Sequence, residues 1–261
     1  MPFLHSSRRP DPDYSALEGA LPPLEGEPLP DPDELQLPFT ELLPSVQASA
    51  PGDTDAVQET PLRRAGELNR LGRRREAVSI LTQALTDDPS DVAVRVELAG
   101  LQEAGGDIDE AEELLNSGMR IAPHLPPLLI ARGALLARHG RAGEGERDLR
   151  RGVALAPDAA AGHLELGAAL LRQGRPREAI EPLRKAGALD PASIDAVFHL
   201  GEAYLHTADL QRALTTLQQA EQMRPEARTL SLLGRLLDRM GRTDEAMVMH
   251  RRARDAGAGK A

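Results

Sequence analysis

A chain of 261 residues with 41 Asp+Glu against 31 Lys+Arg has a formal net charge of -10, no cysteine, no tryptophan and five aromatic residues. That composition excludes disulfides, thiol nucleophiles, Cys-ligated zinc and cysteine lipidation, and it disfavours a β-sandwich, whose strands draw on aromatic and β-branched residues. Abundant Ala, Leu, Glu and Arg favour helices instead. No apolar run approaches the ~20 residues that span a bilayer, and the first residues lack the apolar core of a signal peptide. A cytoplasmic location is therefore expected.

Residues 1–57 hold 11 acidic residues, two arginines and 11 of the 21 prolines, a net charge of -9. Such a segment cannot bury enough apolar surface to offset a backbone entropy cost of ~1–2 kcal/mol per residue. The expectation is a disordered acidic tail. Within it, residues 34–46 read ELQLPFTELLPSV, where Phe39, Leu42 and Leu43 have the spacing of a short apolar helical face. Pro38 and Pro44 limit that face to little more than one turn. Two readings follow: a solubilising tail, or a motif that folds into a groove. The groove could belong to the same chain, since a spacer of ~12 residues reaches roughly 20 Å and a tether supplies a high effective concentration.

From residue 58 onward acids and bases nearly balance, and a 34-residue period governs the chain. Pro89, Pro123, Pro157, Pro191 and Pro225 stand in step. So do Gly72, Gly106, Gly140, Gly174 and Gly241, with Ala208 in the vacant place and the last unit one residue early. Small residues form further columns: Ala77, Ala111, Gly145, Ala179, Ala213 and Ala246, and Ala65, Ala99, Gly133, Gly167, Gly201 and Gly234. Each column has a physical task. The glycine closes a first helix in a left-handed cap. The proline follows the end of a second helix and cannot continue it. The small residues let helix backbones approach. Leu81, Leu115, Leu149, Leu183 and Leu217 are the expected knobs of the second helices; Leu68, Leu136, Leu170, Tyr204 and Leu237 are those of the first.

These columns resemble the tetratricopeptide repeat (TPR) pattern. HLELGAALLRQGRPREAIEPLRKAGALDP and VFHLGEAYLHTADLQRALTTLQQAEQMRP fit it best. The resemblance implies an all-α, right-handed superhelix of about six helix–turn–helix units, at approximately 58–91, 92–125, 126–159, 160–193, 194–226 and 227–260. Thr60, Ser90, Ser193 and Asp209 are expected helix caps, and Asp107 with Glu110 resembles a capping box. Gly145 and Gly152 stand where alanine is usual, at ~1 kcal/mol each, which makes the third unit the expected soft one. Pro182, inside a second helix, predicts a kink near Glu178–Pro182.

In proteins of this kind the first helices line the concave face. Three rows follow at fixed offsets. The first is Leu62, Val96, Ile130, Leu164, Phe198 and Ser231; the second is Gly66, Gly100, Ala134, Ala168, Glu202 and Arg235; the third is Asn69, Glu103, Ala137, Leu171, Leu205 and Asp238. The expected groove is built from Val96, Gly100, Ile130, Ala134, Ala137, Leu164, Ala168, Leu171, Phe198, Glu202 and Leu205, an apolar wall suited to an apolar or amphipathic partner segment. Relatives that clamp a C-terminal carboxylate use Lys, Asn and Arg in this face. Here Gly66, Gly100 and Ala134 stand in the asparagine row, and no lysine lies in the first three units, so that activity is not expected.

The ends are rich in arginine, with Arg63, Arg64, Arg70 and Arg73–Arg75 in the first unit and Arg224, Arg228, Arg235, Arg239, Arg242, Arg251, Arg252 and Arg254 around the last. They read as solvated helix faces or as a seat for an acidic partner. Nucleic acid is not expected, because stacking aromatics are absent from these patches and the net charge is negative. Met247–Met249 offer a contact face for an oligomer or partner. No catalytic motif stands out. His199 and His206 lie seven residues apart on one helix, about 10 Å in rise, too far to share a metal ion. The expectation is a non-enzymatic interaction protein, adaptor or co-chaperone, without metal or cofactor. The alternative is a scaffold subunit acting through its arginine-rich ends.

Overall fold

A computed structural model describes residues 60–258; the acidic segment 1–57 and its Phe39, Leu42 and Leu43 lie outside the described residues. Among those described, every regular element is an α-helix, and the twelve helices form six pairs. The pairs are α1 (Pro61–Arg70) with α2 (Arg74–Asp87), α3 (Val92–Gly105) with α4 (Ile108–Ile121), and α5 (Pro126–Arg138) with α6 (Ala142–Leu155). There follow α7 (Ala160–Arg172) with α8 (Pro176–Leu189), α9 (Ile194–His206) with α10 (Leu210–Met223), and α11 (Ala227–Arg239) with α12 (Thr243–Ala258). Each helix packs only on its own partner and on the neighbouring pair. That is the one-dimensional order of a solenoid.

The turn inside each pair explains the glycine column. Gly72, Gly106, Gly140, Gly174 and Gly241 all take a φ of +70 to +95°. In all six turns the following residue donates its N–H back to the knob position of the first helix. Arg73 bonds to the Leu68 carbonyl at 2.8 Å, Arg141 to Leu136 at 2.9 Å and Arg175 to Leu170 at 2.9 Å. This is a Schellman closure, and it needs a left-handed residue. Ala208 occupies that place in the fifth pair at φ 62°. An L-residue there costs about 1–2 kcal/mol, partly offset by glycine's greater freedom when unfolded. Ala208→Gly is therefore expected to stabilise the solenoid by about 0.5–1 kcal/mol. An unchanged or lower midpoint in thermal or urea unfolding counts against that account of the turn.

Helix starts follow two devices. Thr60, Asp91, Ser193 and Asp209 accept a backbone N–H three residues on. Asp91, not Ser90, caps α3, because Ser90 is held by both its N–H and its hydroxyl on Asp88. Asp107 makes no side-chain cap bond, so the expected capping box does not form. The second device is an Arg-x-x-Glu pair at the start of the second helices. Arg73, Arg141, Arg175 and Arg242 each grip the glutamate three residues later with two donors, at 2.6–3.0 Å. Arg141 and Arg175 also reach back to Glu112 and Glu146 of the preceding pair. These positions keep the repeat period, so the ladder is legible in the sequence once that column is read.

The core is the set of knobs and small residues. Leu81, Leu115, Leu149, Leu183 and Leu217 are all buried, as are Ala77, Ala111, Ala179, Ala213 and Ala246. Glycine replaces alanine in the third pair for a reason visible in its packing. A Cβ on Gly145 would lie 2.4 Å from the Gly133 carbonyl oxygen, and one on Gly133 would lie 2.8 Å from the Gly145 oxygen. The two helices of this pair approach backbone to backbone. Close approach at Gly145 recovers contact that the missing methyl forgoes, which works against the softness expected of the third unit. Helix α8 continues unbroken through Pro182 to Leu189. The carbonyl left without a donor is that of Glu178, an exposed residue of the first turn, where solvent can serve it.

Candidate functional site

The first helices place the expected groove residues in register, and neighbouring pairs then cover them to different extents. Val96, Gly100, Ile130 and Ala134 come together with Ala131, Pro127, Ala161 and Leu135 around a recess of about 450 Å³ between α3, α5 and α7. Gly100 deepens it, since nothing lies within 4 Å of a Cβ built there. Leu164 and Leu171 are partly buried and pack on the core beneath α7 rather than lining this recess. Ala137, Ala168 and Leu205 are buried, and so is Ala134, which borders the recess with only 3% of its surface exposed.

Phe198 departs furthest from expectation. It retains only 9% exposure. The guanidinium of Arg228, from the next pair, lies 4.8 Å from its ring centroid, held there by Asp195 and Glu226. Phe198 belongs to the buried apolar cluster that includes Leu232, Leu233 and Leu236, and the cation adds to its cover. Glu202 is occupied as well: it accepts from His199 at 3.1 Å, a bond that holds its carboxyl below the usual range. The continuous apolar wall expected from Val96 to Phe198 is therefore broken: Val96 and Ile130 border an open recess, Leu164 is half-buried against the core, and Phe198 is almost covered.

The recess has a charged rim that the apolar rows omit. Arg138 donates to both carboxylate oxygens of Glu103 at 2.7 and 2.8 Å and to Glu165 at 3.0 Å, tying α5 to α3 and α7. His139 adds a contact to Glu103 at 2.9 Å. Burial alone would raise the Glu103 carboxyl, but its bonds to Arg138 and His139 more than offset this and hold it below the ordinary range. Burial likewise opposes the charge of Arg138, and the two glutamates more than restore it. Glu103 and Arg138 thus stay a charged pair at neutral pH. Glu97 stands exposed on the same edge.

The arginine-rich ends are partly engaged, six of their fourteen arginines forming ion pairs among the described residues. Arg63 and Arg73 pair within the first unit, and Arg224, Arg228, Arg242 and Arg252 pair with Glu226, Asp195, Glu245 and Glu221. These are mostly exposed pairs of small individual worth. Met247 and Val248 are exposed, whereas Met249 packs on the core of the last pairs. Among the described residues no group of His, Cys, Asp and Glu is arranged to hold a metal ion, and no helix is long and apolar enough to cross a membrane.

Stacked helix pairs with Schellman turns and an open recess on the first helices define a helical-repeat solenoid. Models of the tetratricopeptide repeat match residues 68–134 and 170–232, and a second such model matches 130–194. The chain belongs to the tetratricopeptide repeat family. Solved structures agree on the fold. PilW, described as a widely conserved type IV pilus biogenesis factor, is similar at 20% identity and a TM-score of 0.64, covering 75% of this chain and 91% of PilW. MamA is similar at 22% identity and 0.55, covering 62% and 96%. YrrB, described as a TPR protein with an unusual peptide-binding site, is similar at 16% identity and 0.52, covering 67% and 91%. The curated protein sequences give no match.

Proposed function

We propose that this chain is a non-enzymatic TPR adaptor that holds a short apolar or amphipathic segment of a partner protein in the recess between α3, α5 and α7. One observation carries the reading: an open 450 Å³ concavity with an apolar floor of Val96, Ile130 and Ala134, rimmed by a fixed Glu103–Arg138–Glu165 network. Ligand sites are concave and mainly apolar, with a few placed polar groups that set orientation. The peptide-binding description of YrrB, a protein of the same fold, accords with this. The acidic segment 1–57 is read as a second binding motif or a regulator of partner access, and a co-chaperone role and a cytoplasmic setting belong to the same proposal.

The test uses glycines that tolerate a side chain. Gly66 and Gly100 share one column, and a Cβ at either meets nothing within 4 Å. Only Gly100 lines the recess. Gly100→Trp should fill it while keeping the fold, because glycine is the poorer helix former by roughly a few tenths of a kcal/mol and a Cβ there has open space. Affinity capture with the full chain, Gly100→Trp and Gly66→Trp is expected to show partners lost by roughly tenfold or more in the first variant only, as hot-spot contacts concentrate in such pockets. An identical partner set from all three chains removes the recess from the function.

A further inference from the structure

The rim of the recess is unbalanced in charge. Glu97, Glu103 and Glu165 face Arg138 as the single cation of the lining. That cation is already spent: its guanidinium is bonded to Glu103 through Nε and Nη2 and to Glu165 through Nη1. Glu97 is exposed at the mouth. Glu103 is bonded through both oxygens in return, so a segment entering along the apolar floor meets Glu97 on the α3 side, Glu165, held through one oxygen only, on the α7 side, and no available guanidinium.

Resting on the reading of this recess as a peptide site, we propose that it selects an amphipathic segment whose apolar face is flanked by lysine or arginine, and rejects acidic segments. Potential complementarity of this kind chiefly sets specificity and encounter rate. The rule reaches the chain's own 34–46 stretch. That stretch carries Glu34 and Glu41 and no base, and lies in a segment of net charge -9. Its Phe39, Leu42 and Leu43 suit the apolar floor, but its charge does not suit the rim. The rule thus assigns that motif to a different surface or a different molecule.

Three synthetic probes decide it: a Leu/Ala-faced helical 16-mer with lysines on its polar face, the same peptide with glutamates, and the chain's own residues 34–46. Each is titrated by fluorescence anisotropy against the full chain, Gly100→Trp, and the double variant Glu97→Lys with Glu165→Lys. The lysine peptide is expected to bind roughly tenfold or more tighter than the other two at about 50 mM salt, with the gap closing near 500 mM as charges are screened. The double variant should reverse the order, and Gly100→Trp should abolish the tight mode. Equal affinities of the lysine and glutamate peptides, both lost in Gly100→Trp, overturn the charge rule and leave the peptide site standing. Lysine-peptide binding that Gly100→Trp leaves intact, or no binding by any probe, overturns both. Tight binding of residues 34–46 that needs an open Gly100 also overturns the rule. Thermal unfolding of each variant verifies that its fold is retained.

Discussion

Gly145→Ala is expected to destabilise the solenoid by about 1–3 kcal/mol, although alanine in an open helix position gains about 1 kcal/mol over glycine. The reason is the third pair's backbone contact. A Cβ at Gly145 would lie 2.4 Å from the Gly133 oxygen, 2.7 Å from the Ala137 nitrogen and 3.0 Å from the Ala137 Cβ. No flexible side chain can swing aside, so α5 and α6 must separate and lose contact along their length. Gly143, two residues earlier on α6, is the control, because a Cβ there meets nothing within 4 Å. Gly143→Ala should stabilise by about 0.5–1 kcal/mol. Urea unfolding of the two variants measures the contrast, and finding Gly145→Ala as stable as Gly143→Ala would remove the close approach as the reason for glycine.

Leu183→Ala should cost about 2–5 kcal/mol, the range for a fully buried leucine that leaves a cavity. Leu183 has no exposed surface. It lies directly over Gly167, where an added Cβ would be 2.4 Å from its Cγ. Gly167→Ala alone is accordingly destabilising, by about 1–3 kcal/mol of overpacking. The two variants compete for one volume: the methyl of alanine at 167 enters the space that Leu183→Ala vacates. Their combination should be less damaging than the sum by about 1 kcal/mol or more, a coupling that a double-mutant cycle reads directly. Strict additivity would mean that the knob and the small column do not face each other as described. Each unit leans only on its neighbours. Hydrogen exchange should therefore show the loss first in α7 and α8.

The pairwise architecture was legible from columns. Proline, glycine and leucine recur at 34 residues because each unit solves the same packing problem, and the structure finds the leucines buried and the turn glycines left-handed. Local competition was less legible. Ser90 and Asp91 are both good cap residues, and the choice fell to Asp91 because Asp88 holds Ser90. The candidate recess was half legible. Val96, Gly100, Ile130 and Ala134 line the recess as the rows suggest. Arg138, one step past the third row, was not visible there, because its partners Glu103 and Glu165 lie 35 and 27 residues away, outside the repeat period.

From the sequence alone came the helical-repeat class, the number of units, the turn chemistry and the identity of the knobs. All of these are set by local conformational preference and by contacts that recur with the period. Only the tertiary structure decided how far the apolar wall stays open. Arg228 of one pair lies over Phe198 of the pair before it, and Arg138 joins the carboxylates of two neighbouring pairs. Those contacts depend on how consecutive units are rotated against one another. That rotation is the summed outcome of many interhelix contacts, and no single residue column encodes it.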